Sequence, residues 1–221
     1  YKDQLSVYNA DAVGAYNIMR KYFAGCDKEK KISVTGEKAD GMKQVIYMIG
    51  MMGAGKTTVG RTLAQRIGWE FIDMDREIER EQGKRISEIF SSEGEPAFRA
   101  METDLLKRLA GRRRTVIATG GGAALSPENQ RLLAQSGLVI YLRVSPDDVL
   151  ARTQGDATRP NLMADDKRAR IESLLEIRSP IYCATADISF RSSGASSGSL
   201  VAKILKHPKL KKLIEDADKN L

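Results

Sequence analysis

Short apolar runs alternate along the chain with stretches whose apolar positions recur at helical spacing. The first run, Val45-Ile-Tyr-Met-Ile49, predicts a buried strand, and Val59, Leu63, Ala64 and Ile67 then mark one face of a helix that stops at Gly68. Trp69 to Ile72 reads as a short strand with Asp73 and Asp75 at its end. Helical patterns follow through Ile78, over Ile86 to Phe90, and over Phe98, Met101, Leu105, Leu106 and Leu109. The strand Thr115-Val-Ile-Ala118 runs into Gly120-Gly121-Gly122. Ser126-Pro127 and Ser145-Pro146 are helix starts of N-cap then N1 type, on either side of the apolar run Leu138 to Leu142. A long helix from about Asp166 to Ala184 leads to a last strand, Asp187 to Phe190. About five short strands separated by helices predict an α/β fold: an open parallel sheet flanked by helices, with ligands at the carboxyl ends of the strands.

The segment after the first strand gives this frame a chemistry. Gly50 to Thr57 reads G-M-M-G-A-G-K-T, a phosphate-binding loop between a strand and a helix. Glycines let backbone N–H groups curl around phosphate oxygens, and the helix beyond them offers its positive N-terminus. Gly53, Ala54, Gly55, Lys56, Thr57 and Thr58 are therefore the expected contacts to a nucleoside triphosphate, with Lys56 reaching the β and γ oxygens and the Thr57 hydroxyl on Mg²⁺. Asp73, Asp75 and the Gly120 to Gly122 turn also lie just beyond predicted strand ends, so they converge on the same cleft. Phosphoryl transfer needs such a set: cations on the moving group, metal neutralisation, and a carboxylate that takes or orients the acceptor proton.

Composition narrows the picture. A chain of 221 residues with 42% hydrophobic and 29% charged side chains buries one good core. It has no apolar run long enough to span a membrane and no secretory signal pattern, so a soluble, cytoplasmic protein is expected. The net charge of +7 is mostly a property of the tail, since residues 191–221 carry 7 basic and 3 acidic side chains. The lysine-rich stretch from Lys203 reads as a solvated surface helix, and nucleic acid is not an expected partner. Cys26 and Cys183 have no partner at metal-ligand spacing; neither a disulfide framework nor a zinc site is expected, and Cys183 reads as a buried, inert thiol. His207 precedes Pro208 at a helix break and is a poor catalytic candidate. Residues 1–41 read as an N-terminal extension, 42–190 as the main domain, and 191–221 as a Ser/Gly connector, Ser192 to Ser199, followed by a basic helical tail.

Over roughly residues 43–190 the chain resembles the shikimate kinase family, P-loop kinases with a mobile lid that are related to the nucleoside monophosphate kinases. The resemblance rests on ordered motifs: the phosphate loop, F-I-D-M-D from Phe71, I-S-E-I-F and G-E-P-A-F-R ending at Arg99, T-G-G-G ending at Gly122, R-P-N-L from Arg159, and R-S-P-I-Y from Arg178. It implies transfer of the γ-phosphoryl of ATP to the 3-hydroxyl of shikimate. It further implies catalytic roles for Lys56, Asp75 and Arg159, with Asp75 at the acceptor hydroxyls and Asp73 near Mg²⁺. Arg99 and Arg178 would grip the shikimate carboxylate, and Gly121 and Gly122 would offer backbone N–H groups to the substrate. Arg159 would close as part of the lid, Arg152 would lie near the nucleotide base, and Arg191 stands where the family often supplies a further ATP-side residue.

Plainer readings compete. Arg99 could pair with Glu95 or Glu102 on its own helix, Arg178 with Glu172 or Glu176, and Asp73 could cap the next helix rather than serve a metal. A gluconate kinase-like enzyme and a non-catalytic nucleotide- or nucleic-acid-binding module remain as alternative functions, and a monomer is expected. Asn9 to Ile18 also faintly resembles a segment of transposon-encoded RNase-H-like nucleases, with Asp11 as metal ligand, but 41 residues cannot supply the rest of such a site. An amphipathic helix is the expected form there.

Overall fold

The computed structural model describes residues 44–153, 166–192, 194 and 196–219. Asp11, Cys26, Arg159 and the proposed N-terminal extension lie outside them.

Five strands form one all-parallel sheet: β1 Val45–Ile49, β2 Glu70–Asp73, β3 Thr115–Ala118, β4 Leu138–Arg143 and β5 Ile188–Arg191. The order β2-β3-β1-β4-β5 puts the uninterrupted apolar runs in the middle, where both faces are covered. Every residue of β1 and β3 is buried, whereas the edge strands β2 and β5 are only partly so. Side chains alternate across the sheet with a period of two. Ile46 and Met48 therefore enter one core, with Val59 and Leu63 of α1 (Lys56–Ile67). Val45, Tyr47 and Ile49 enter the other, with Phe98, Leu105 and Leu106 of α4 (Gly94–Leu109).

The predicted connections are present: α2 Met74–Gln82, α3 Ile86–Ser92 and α4 between β2 and β3; α5 Pro127–Ser136 after β3; α6 Pro146–Arg152 and α7 Lys167–Thr185 after β4. Their caps follow the sequence signals. Ser145 Oγ accepts from Asp148 N at 3.2 Å, and the Asp166 carboxylate accepts from Ala169 N at 3.0 Å. The second strand begins one residue later than expected because Gly68, at φ +68, turns the Trp69 N–H back onto Ala64 O at 2.9 Å. That N–H closes the helix and is not free for the sheet.

Two further differences concern the tail and Cys183. Ser196 caps a helix, its Oγ accepting from Ser199 N at 3.2 Å, so Ser197 to Ser199 form the first turn of α8 (Ser197–Leu205) and not a connector. Helix α8 packs on α1 through Leu200, Val201 and Ile204. In α9 (Pro208–Lys219), Leu210 and Ala217 are buried and Lys211 and Lys212 face solvent. Cys183, expected as a sealed thiol, is half-buried on α7 and disulfide-bonded, its partner lying outside the described residues. Among the described residues no helix is long and apolar enough to cross a membrane.

Candidate active site

All the strands point the same way, so the loops after β1, β2 and β3 meet at one edge of the sheet. The phosphate loop needs left-handed backbone at Gly53 (φ +73) and Gly55 (φ +88), conformations that cost a residue with a Cβ. Lys56 is buried against this loop and its Nζ donates to Gly50 O at 2.9 Å and Met51 O at 3.0 Å. The ammonium is thus held over the phosphate cradle by carbonyls of the cradle itself. Thr57 Oγ1 donates to Asp73 Oδ2 at 2.7 Å, while Asp73 Oδ1 accepts from Asp75 N at 3.2 Å and Arg76 N at 3.4 Å. The two readings of Asp73 are therefore not exclusive: one oxygen caps α2 and the other faces the Thr57 hydroxyl. Among the described residues no group of three or more His, Cys, Asp or Glu side chains is arranged to hold a metal.

Next to the phosphate loop lies a cavity of about 480 Å³ whose lining includes Met52, Asp75, Arg99, Gly121, Gly122 and Arg178. Elements distant in sequence bring these groups together: the start of α2, the second turn of α4, the turn after β3 and the middle of α7. Arg99 makes the pairings that a plain surface reading foresaw, and also lines the cavity. Its Nη1 donates to Glu102 at 2.5 Å, and its Nε and Nη2 donate to Glu95 Oε1 at 3.1 and 2.7 Å. Burial works against the Arg99 charge, but Glu102 and Glu95 more than offset it and hold its pKa above the ordinary value. Arg178 is 7% exposed and sits beside the Tyr182 phenol, which donates to Gly121 O at 2.5 Å.

Two of the three glycines, Gly120 and Gly122, stand where space is short. A Cβ on Gly122 would overlap the Arg99 guanidinium, and one on Gly120 would overlap Glu102 and come within 2.8 Å of Asp75 Oδ1. Side chains are excluded here so that three charged groups can converge.

Glu102 is the residue whose role the sequence did not indicate. Its side chain is fully buried, Oε2 is bonded to Arg99, and Oε1 has no hydrogen-bond partner. Its pKa is raised to about 7: burial pushes it up most, Arg99 pulls it part of the way back, and Asp75 and Glu95 add to the rise. A raised folded-state pKa means that the folded protein binds the proton more tightly than the unfolded chain. The associated stability is present below the unfolded pKa of about 4.5 and is lost as pH climbs through about 7. In thermal melts from pH about 5 to about 8, the wild type is expected to lose stability on the order of 2–3 kcal/mol relative to Glu102→Gln, whose amide does not titrate. Parallel curves for the two proteins would contradict the assignment.

A second cavity, about 270 Å³, opens on the other side of the phosphate loop and is lined by Ala54, Gly55, Thr58, Arg152, Ser192 and residues of α8. Arg152 is anchored there, donating to Gly53 O at 3.0 Å and Ser192 O at 2.8 Å. Arg191 is exposed at the end of β5 and is not among the residues lining this cavity.

A sequence-family model described as shikimate kinase matches residues 52–209. The chain is similar to shikimate kinases of Chromobacterium violaceum (49% identical; 72% of this chain and 86% of the relative) and Methylococcus capsulatus (48%; 72% and 89%). Among solved structures it resembles a shikimate kinase of Acinetobacter baumannii in complex with shikimate, with TM-score 0.75, 42% identity, and coverage of 80% of this chain and 98% of that one.

Proposed function

The chain belongs to the shikimate kinase family, and from that premise we propose that its cleft transfers the γ-phosphoryl of ATP to the 3-hydroxyl of shikimate. The observation that carries the reading is a single cavity lined by Asp75, Arg99, Arg178 and the phosphate-loop residue Met52. The acid grip thus opens onto a space that the phosphate loop borders through Met52, while Ala54, Gly55 and Thr58 of the cradle line the second cavity.

In this reading the backbone N–H groups from Gly53 to Thr58 receive the phosphates, and Lys56 exchanges its loop carbonyls for β and γ oxygens. Arg152, already aligned over Gly53, bounds the nucleotide base in the second cavity, with Arg191 further out on the ATP side. Arg99 and Arg178 hold the shikimate carboxylate through planar forks, and the N–H groups of Gly121 and Gly122 help orient the ring. Fixing the carboxylate places the distant hydroxyl against Asp75, which takes its proton as the oxygen attacks in line. Arg159, which lies outside the described residues, would stabilise charge on the transferring phosphoryl.

Mg²⁺ fits the oxygen pair of Thr57 and Asp73, because this ion takes few protein ligands and completes its shell with phosphate oxygens and water. When bound there it would neutralise charge between the β and γ phosphates. A cytoplasmic, monomeric enzyme completes the proposal.

Coupled ADP release measured with shikimate, gluconate and nucleoside monophosphates tests it. Shikimate-dependent turnover at least about 10³-fold more efficient than with the others is expected, since two guanidinium groups fixed for one carboxylate position an acceptor of different shape badly for in-line attack. Turnover with another acceptor alone would overturn the reading.

A further inference from the structure

The Gly120 to Gly122 turn is the part of the cleft with the most conformational freedom, since none of its residues carries a Cβ to restrict the backbone. In the proposed function its N–H groups must nevertheless be held still against a substrate. A constraint from outside the turn has to supply that order, and Tyr182 makes a contact able to do so.

Tyr182 lies fully buried in the last turn of α7, and its hydroxyl donates to Gly121 O at 2.5 Å. The ring packs on Tyr141 of β4 with centroids 5.2 Å apart, so the hydroxyl is presented by a side chain held against the sheet. A peptide unit is planar and trans. The carbonyl of Gly121 and the N–H of Gly122 therefore belong to one rigid plate and point in opposite directions. A hydrogen bond that fixes the carbonyl also aims the N–H, and this N–H is one that the kinase reading gives to shikimate. The turn abuts the phosphate loop as well, because a Cβ on Gly121 would lie 3.4 Å from Met52 N.

The same phenol stands beside the acid grip. Arg178 precedes Tyr182 by four residues on α7, which puts both on one helix face, and both Arg178 and Arg99 act on the phenol electrostatically. Burial raises the Tyr182 pKa far above the ordinary tyrosine value, and Arg178 only partly counters it. The hydroxyl thus keeps its proton and remains a donor to Gly121.

We propose that Tyr182 is a positioning residue for the acceptor, its hydroxyl setting the Gly121–Gly122 peptide and the Arg178 guanidinium in one fixed arrangement. The inference rests on the kinase reading of the cleft and adds a residue which that reading does not use. Tyr182 is not among the residues lining the cavity, so it acts through the Gly122 N–H and Arg178 rather than on the substrate.

Packing is the competing role, and Tyr182→Phe separates the two. The variant keeps the ring and its contact with Tyr141 and removes one oxygen. The test is kcat, KM for shikimate and KM for ATP, measured on the full chain for the wild type and the variant. KM for shikimate is expected to rise roughly 5- to 30-fold, with KM for ATP changed less than about 2-fold and kcat less than about 3-fold. An unchanged KM for shikimate, or KM values for both substrates that rise together as a general loosening would produce, would overturn the proposal.

If Tyr182→Phe does not fold, the wild type labelled with ¹³C at the tyrosine Cζ decides by magnetic resonance. The Tyr182 signal is expected to move when shikimate is added and to stay in place when ADP is added alone. A Tyr182 signal unmoved by saturating shikimate would refute the inference. A wild type that releases no ADP with shikimate refutes the kinase reading instead, whereas turnover with no change in the variant removes only the role of Tyr182.

Discussion

Asp75→Asn is expected to lower kcat by roughly 10²- to 10⁴-fold, the usual range for removing a positioned general base. The amide can still hydrogen-bond the acceptor hydroxyl, so shikimate binding should change little. It cannot take the proton. Thr57 and Asp73 bond each other through their own side chains, and the α2 cap uses the Asp75 backbone N–H, which the variant keeps. ADP affinity measured by calorimetry should therefore stay within about 3-fold of the wild type. A kcat within a few-fold of the wild type would remove Asp75 from the chemistry.

Arg99→Ala is the second large effect, and its cost has two parts. On the proposed reading the substrate carboxylate loses one of its two forks, and Glu102, fully buried, loses the one hydrogen-bond donor it has among the described residues. Truncating one member of a buried, hydrogen-bonded charge pair costs on the order of 2–5 kcal/mol. KM for shikimate should rise by roughly 30-fold or more, with KM for ATP changed less than about 3-fold. The partner Glu95 is a different case. Its side chain is 52% exposed, so its bond to Arg99 is a surface pair worth about 0–1 kcal/mol. An Arg99→Ala enzyme with unaltered shikimate kinetics would show that the cavity is not the carboxylate site.

The parts of this site that the sequence made legible are those governed by local rules. Strand, tight glycine loop and helix follow one another at Val45 to Ile67, and each has a signature in consecutive residues. Asp73 and Asp75 were legible as carboxylates at a strand end, although local pattern alone could not divide Asp73 between capping and the Thr57 hydroxyl. Structure resolves this because a carboxylate has two oxygens and uses one for each.

Arg99 and Arg178 were ambiguous for a related reason. Helical spacing does put Glu95 and Glu102 within reach of Arg99, and both contacts form. Whether such a cluster faces solvent or a cavity depends on which helix face packs against the turn after β3, a long-range matter. Glu102 was the least legible of all, because along α4 it looks like Glu95, yet one is sealed and the other half in water. The triple glycine was the only local hint, since it marks where side chains from elsewhere must approach backbone. The tail shows the same limit: its lysines are visible in the sequence, but burial of Leu200, Val201, Ile204 and Leu210 depends on the surface of α1 and the sheet.

The central claim is that two half-sites share one cleft, with Asp75 between them. Its most direct test is a crystal structure of the protein with ADP, Mg²⁺ and shikimate bound together. The account predicts the shikimate carboxylate between the guanidinium groups of Arg99 and Arg178, its 3-hydroxyl on Asp75, and the β-phosphate in the loop from Gly50 to Thr57. Shikimate bound outside this cavity, or bound in it with its hydroxyl turned away from Asp75 and the nucleotide, would contradict it.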